Sequence, residues 1–235
     1  MRAIRELFRK LRYKINFVVK KNRPNVFYVS KQNSNNELTN LMNLYGSDKG
    51  GKNNDHNYAN YYSEIFFEKK NKIKNFLEIG LGTKNQNFVS NMGSKGVPLA
   101  SLRAWRDYFV NANIYGADID KKILKNEDRI QTYYVDQTDP ITIDELFKDI
   151  GDINFDIILD DGLHHYDANI CLFENSINYL KSDGVYIIED IYHKDQNKFL
   201  NYFKNKNYTF SIINIYHEHN IKNNFLLIIK KNLRN

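Results

Sequence analysis

Acids and imidazoles gather at the exits of apolar runs in this chain. The stretch FDIILDDGLHHYD (155–167) passes from an apolar run into Asp160-Asp161-Gly162, and His164-His165 follow within one turn. Carboxylates at such an exit can hold a cation, an ammonium or a hydroxyl, and an imidazole beside them can take a proton near neutral pH. Four other apolar runs end alike. FLEIGLG carries Glu78, Gly80 and Gly82; IYGADID ends in Asp118 and Asp120; IQTYYVDQ ends in Asp136-Gln137; GVYIIED ends in Glu189-Asp190. One acidic exit is ordinary, since acids mark strand ends and cap helices. Five together are hard to assign to capping.

The exits need a scaffold that brings them to one edge. Periodicity predicts strands over 75–81, 113–119, 130–136, 155–161 and 184–190. Helices are expected between them: 101–109 with Ser101 as N-cap, 142–150 opened by a Thr142–Glu145 capping box, 166–181 ended by Asp183-Gly184, and 195–206. The last two strands, 208–216 and 225–231, are joined too closely for a helix and must be an antiparallel pair. The expected fold class is therefore α/β: a doubly wound, mostly parallel seven-stranded sheet with a C-terminal antiparallel hairpin. Ligands of such sheets bind outside the carboxyl ends of the strands, where strand order reverses.

Gly80 and Gly82 let backbone approach a ligand closely. A dinucleotide would require a third glycine leading into a helix, and Glu78 would repel a diphosphate. Glu78 suits a cationic or amine-bearing ligand, and Asp118 suits ribose hydroxyls. Together they suggest S-adenosylmethionine. Asp136 and Gln137 are then expected at the edge of the adenine, with Asp160 near the cofactor. Arg103, at a helix start, could hold the methionine carboxylate or pair with a strand-end acid.

FLEIGLG, IYGADID, FDIILDDGLHH and GVYIIED resemble the successive motifs of class I methyltransferases, which have a Rossmann-like fold. The helix SLRAWRDYF (101–109) and the segment YGSDKG…HNYANYY (45–62) narrow the likeness to metal-dependent sugar O-methyltransferases of the macrocin and mycinamicin type. The resemblance covers roughly residues 40–230. Lys84 stands where the family has its third glycine. The likeness implies Mg²⁺ on Asp161, Glu189 and Asp190, with His164 as general base beside Asp161. The physical case agrees: three close carboxylates repel unless a cation lies between them, and oxygen ligands suit Mg²⁺. His165 is expected to face the substrate. By resemblance Ser47, Asp48, Lys49, His56, Tyr58 and Tyr62 fold over the cofactor, with Ser47 and Lys49 touching it and Tyr58 and Tyr62 facing substrate. Trp105 and Phe109 are most simply core, and His217 and His219 surface residues.

Charge separates an arm from the rest. The chain carries +6, yet residues 1–23 hold nine basic residues against Glu6 alone, +8, which leaves −2 for residues 24–235. That balance argues against a nucleic-acid partner. Ile4, Leu7, Phe8, Leu11, Ile15 and Val18 recur at helical spacing opposite a cationic face. Such a helix packs on its own domain or a second subunit, or lies on an anionic membrane surface. Residues 1–36 are read as arm and linker and 37–235 as the methyltransferase domain. Cys171 is the only cysteine, no apolar run approaches the roughly 20 residues of a membrane span, and no secretory leader is visible, so a cytoplasmic protein is expected, with the membrane's inner face as an alternative place of work.

The function expected is S-adenosylmethionine- and Mg²⁺-dependent O-methylation of a sugar hydroxyl on a nucleotide sugar, a surface glycan or a glycosylated small molecule. The alternatives are methylation of RNA or an amine, and a non-catalytic membrane-associated scaffold.

Overall fold

The computed structural model describes residues 23–30, 32–52 and 55–232, together with Arg5, Phe8, Lys10, Leu11 and Ile15. The reading of residues 1–23 as an arm therefore lies mostly outside the described residues. The three apolar arm residues that are described, Phe8, Leu11 and Ile15, are exposed. No helix among the described residues is long and apolar enough to cross a membrane.

Among the described residues the sheet has eight strands, one more than expected. In chain order they are β1 (Val26–Val29), β2 (Asn75–Ile79), β3 (Asn113–Asp118), β4 (Ile130–Tyr134), β5 (Phe155–Asp160), β6 (Leu180–Ile188), β7 (Tyr208–Ile215) and β8 (Phe225–Lys231). Their spatial order is β1-β7-β8-β6-β5-β2-β3-β4. Only β8 runs against its neighbours, pairing antiparallel with both β6 and β7. The added strand, β1, lies in a stretch expected as linker and pairs parallel with β7 at the sheet edge.

Strand order reverses at β2, which has β3 on one side and β5 on the other. That is where a ligand cleft is expected.

Among the described residues six helices lie on the two faces: α1 (Glu37–Tyr45), α2 (Tyr58–Phe66), α3 (Ala100–Tyr108), α4 (Pro140–Ile150), α5 (Tyr166–Ser176) and α6 (Gln196–Phe203). Strand side chains alternate between faces, so each strand feeds two cores. Phe76, Ile157, Leu159 and Ile187 join Leu38, Met42, Leu102 and Trp105 under α1–α3. Leu77, Ile79, Ile158 and Ile188 join Phe147, Phe173, Phe199 and Phe203 under α4–α6. Trp105 is core as expected, stacked on Phe109 with centroids 5.3 Å apart.

Three helix signals read from sequence are displaced. The cap of α4 is Asp139, whose carboxylate accepts from Ile141 N, with Pro140 at the first helical position. Thr142 instead binds Asp136, its hydroxyl accepting from the Asp136 amide and donating to the Asp136 carbonyl. Helix α3 starts after Leu99, which has φ 64°, so Ser101 lies inside the first turn. Helix α5 stops at Ser176, and Asp183-Gly184 fall within β6, where the register with β5 shifts between Phe155 and Ile157. The turn signal there is absorbed as a strand irregularity.

Candidate active site

The carboxyl ends of β2–β5 open into a cavity of about 580 Å³. One half is walled by Gly80, Gly82, Thr83, Asp118, Asp136 and Gln137; the other by Asp48, Asp161, His164, His165, Asp190 and Tyr192. The loop 87–92 lies across the first half.

Gly80 makes the junction of the two halves. Its φ is 94°, and a Cβ there would come within 2.1 Å of the Asp161 carbonyl oxygen. Only glycine admits both that backbone and that approach. Beside it, Asp118 accepts from Leu81 N (2.7 Å) and Asp120 N (2.8 Å), which fixes the β3 exit against the β2 exit. Burial raises the Asp118 carboxyl above its usual range. Thr83 donates to Asp120 at 2.5 Å and ties the long loop to the same point.

The loop after β5 is built around Asp160. This fully buried carboxylate accepts from Gln137 Nε2 (2.7 Å), Asn169 Nδ2 (2.8 Å) and Gly162 N (3.3 Å). Gln137 Oε1 in turn accepts from Leu163 N at 2.8 Å. Burial pushes Asp160 up to about 6. Asp160 is thus a brace for the loop and is not placed to touch a cofactor. Gln137 lines the cavity as expected, but its amide is committed to the same brace.

The braced loop delivers His164 in the left-handed region, at φ 58°, and Asp190 after β6 has φ 55°. Such backbones cost about 1–3 kcal/mol each and collect at functional sites. His164 Nε2 lies 3.8 Å from Asp190 Oδ2. One donor atom each from Asp161, His164 and Asp190 falls within a 4.8 Å cluster. His164 Nδ1 is buried without a hydrogen-bond partner. Two carboxylates and an imidazole gathered at one cavity fit a divalent ion of Mg²⁺ or Mn²⁺ type.

Behind the cluster Lys49, Tyr58 and Tyr62 engage Asp161, Glu189 and Asp190 at the β5 and β6 exits. Lys49 Nζ donates to Asp161 Oδ2 at 2.5 Å and Glu189 Oε2 at 2.7 Å, and lies 3.5 Å from Glu78 Oε1. Tyr62 donates to Glu189 Oε1 (2.6 Å) and Tyr58 to Asp190 Oδ1 (2.6 Å). Burial would lower the Lys49 pKa, but Asp161, Glu189 and Glu78 hold it well above the usual range. Burial raises Asp161 too, yet Lys49 and His164 outweigh it and keep that carboxyl low. Glu189 goes the other way, pushed well up by burial against the pull of Lys49. Glu78, fully buried, is pushed up to about 7 by burial despite Lys49.

Several expected roles change accordingly. Tyr58 and Tyr62 are buried and hold acids, so neither meets a substrate. Lys49 and Glu78 face each other beneath the α1–α3 side and do not line the cavity. Ser47 caps the short helical turn Asp48–Gly50 through Lys49 N. Glu189 gives its two oxygens to Lys49 and Tyr62 and stands against Asp161, so it borders the Asp161–His164–Asp190 cluster. Arg103 forms a two-pronged pair with Glu127, at 3.0 and 2.8 Å, which commits its guanidinium to the chain's own acid and not to a cofactor carboxylate. His217 is buried and accepts from the His219 and Asn220 amides, so it is not a surface residue. Asp48 lines the cavity beside the cluster, and burial raises its carboxyl.

No family model matches the chain. Among curated proteins, a rhamnosyl tetracenomycin-C 2'-O-methyltransferase of Streptomyces olivaceus is 32% identical over 154 residues, 66% of this chain and 37% of that protein. Demethylmacrocin O-methyltransferase of Streptomyces fradiae is 33% identical over 156 residues, 66% of this chain and 36% of that protein. The chain thus spans little more than a third of the length of the curated relatives it matches. Among solved structures, the MycE methyltransferase of mycinamycin biosynthesis, in complex with Mg, SAH and mycinamycin VI, superposes with TM-score 0.54 at 29% identity, over 66% of this chain and 39% of that one. A Plasmodium falciparum ribosomal RNA methyltransferase, at TM-score 0.50 and 17% identity, shares the fold alone. The chain has the Rossmann-like α/β fold of methyltransferases and is, over two thirds of its length, a relative of the macrocin- and mycinamicin-type sugar O-methyltransferases.

Proposed function

We propose that the protein is an S-adenosylmethionine- and Mg²⁺-dependent O-methyltransferase acting on a sugar hydroxyl of a glycosylated small molecule. The observation that carries the reading is one cavity holding two half-sites. The glycine exit of β2 and Asp118 form a nucleoside-shaped half, and Asp161, His164 and Asp190 form a cation-and-base half that shares a backbone contact with it through Gly80. The substrates named for its relatives are glycosylated polyketides, which favours that acceptor class over nucleotide sugars and surface glycans.

Asp161 and Asp190 would hold the ion. When bound, the ion would ease loss of the acceptor hydroxyl's proton, and S-adenosylmethionine would supply the methyl group. His164 is placed to take that proton, because its ring stands at the cavity wall within the cluster. Asp190 Oδ2, 3.8 Å from Nε2, stabilises the imidazolium that results. Gly80 and Gly82 admit the methionine portion, Asp118 the ribose, and Asp136 and Gln137 border the adenine. His165, exposed on the rim, faces the acceptor. The remaining contribution is positioning of the two reactants in line.

The test is transfer of labelled methyl from S-adenosylmethionine to a panel of glycosylated macrolides and aromatic polyketides, with Mg²⁺ or with EDTA. Transfer that requires both the sugar and the ion is expected. Cofactor binding with ion-independent transfer, or labelling only of aglycones, would overturn the reading.

A further inference from the structure

Phe8, Leu11 and Ile15 are helical and 65%, 53% and 48% exposed, and Arg5 and Lys10, also helical, are exposed with them. At about 3.6 residues per turn the three apolar side chains share an arc of about 60°, and Arg5 and Lys10 fall outside it. In the sequence Ile4, Leu7 and Val18 extend the same stripe, and the nine bases of residues 1–23 lie outside it. An exposed apolar stripe marks a surface that another body covers.

Charge and exposure together select that body. The protein's own domain leaves Phe8, Leu11 and Ile15 in solvent. A second copy would set an arm of +8 against another of +8, and like charges repel. A nucleic acid would pair with the bases and leave the apolar stripe uncovered. An anionic bilayer meets both demands: its acyl boundary takes the stripe and its headgroups take the cations. We propose that residues 1–23 dock the protein on an anionic lipid surface, with Phe8, Leu11 and Ile15 entering the boundary between headgroups and acyl chains. Residues 24–235 sum to −2 and add no net attraction to such a surface, so binding rests on the arm.

The fold lets the arm bind without closing the cavity. Strand β1 runs parallel to β7, and β8 opposes both β7 and β6, so β1 shares the direction of β6. Arg23, bridged to Val26, therefore lies at the amino ends of the parallel strands, and the cavity lies at their carboxyl ends. The chain enters the sheet on the side away from the cavity.

Cosedimentation of the full chain with vesicles tests the proposal without turnover, so its failure leaves the O-methyltransferase reading standing. Vesicles of phosphatidylcholine and phosphatidylserine should bind at least tenfold more tightly than phosphatidylcholine alone, and high salt should weaken that binding at least tenfold. The double variant Phe8→Ser, Leu11→Ser, with charge unchanged, should lose at least tenfold. Arg5→Glu, Lys10→Glu, with the stripe unchanged, should lose as much. Both variants should keep Tm within about 2 °C, because the altered side chains are exposed. Equal binding to the two kinds of vesicle would overturn the proposal, as would a loss from the charge variant that the apolar variant does not share. In the absence of vesicle binding, a dimer that Phe8→Ser, Leu11→Ser dissociates would give the stripe to a second copy. An RNA complex insensitive to that variant would give the bases to a nucleic acid. Either result overturns the proposal.

Discussion

Gly80→Ala should displace Asp161 and with it the cation half-site. The added Cβ would lie 2.1 Å from the Asp161 carbonyl oxygen and 2.6 Å from its carbonyl carbon, where Cβ atoms do not come closer than 3.0 Å. The backbone of Asp161 must therefore retreat by about 0.9 Å. Two costs add. Alanine at φ 94° is held in the left-handed region, at roughly 1–2 kcal/mol. Overpacking against backbone adds about 1–3 kcal/mol. At about 2–4 °C per kcal/mol for a domain of this size, Tm should fall by about 4–20 °C. Transfer should fall on the order of 100-fold, the scale of a ~1 Å misplacement at a reacting centre. Gly151→Ala separates the costs. Gly151 has φ 92° and ψ −165° with nothing within 4 Å of its added Cβ, so it carries a positive-φ strain of its own without the contact. Scanning calorimetry and methyl-transfer rates on both variants would decide. Equal Tm losses with equal transfer rates would refute the claim that Gly80 is required by the approach of Asp161.

His164→Ala should lower transfer at least 100-fold, within the range for loss of a general base, while SAH affinity by calorimetry stays within about threefold. Arg103→Ala should also leave SAH affinity within about threefold, and it should cost only about 0.5–1.5 kcal/mol in urea unfolding, because its partner is Glu127. Trp105→Ala should cost about 3–5 kcal/mol, the loss of a fully buried aromatic. Glu78 carries a pH signature. Its folded pKa, about 7, lies above its usual 4.5, so its contribution to stability is present below about 4.5 and lost as pH rises through about 7. The shift corresponds to about 3 kcal/mol, and Glu78→Gln should flatten urea-unfolding stability between pH 4.5 and 7 by an amount of that order.

The sheet was readable because its inner strands are continuous apolar runs that admit little else than buried β structure. Strand β1 was not: VFYV is four residues long, and its flanks Asn25 and Ser30 read as loop. It exists because β7 offers an unpaired parallel edge, a tertiary fact. That Gly80, Gly82, Asp118, Asp136 and Gln137 would meet at one cavity was readable for a related reason, since they sit at strand exits whose direction the parallel topology fixes. Lys49 was named, yet its use was not readable. Its partners Asp161 and Glu189 lie 112 and 140 residues away, and a lysine in a polar turn usually points to water. Arg103 misled for the opposite reason: helix-start arginines suit anions, and the anion here is the chain's own Glu127.

A pattern of acids at one sheet edge does not specify one site, because neighbouring residues leave a strand toward opposite faces. Asp160 follows Ile158 in phase and turns under α4–α6, where Gln137 and Asn169 meet it. Asp161 follows Leu159 and turns toward Lys49. Adjacent carboxylates of the same dipeptide thus take different duties, and their pKa directions diverge for the same cause: burial without a cation raises Asp160, and a lysine beside Asp161 lowers it. The His164 backbone depends on the Asp160 brace. Asp160 and Gln137 fix the backbone of Gly162 and Leu163, and that fixed turn is what holds His164 at a positive φ facing the cavity. A buried brace therefore sets the backbone angle of His164, the residue to which proton transfer is proposed, and the residue types at the edge alone could not show which acid would take that bracing duty.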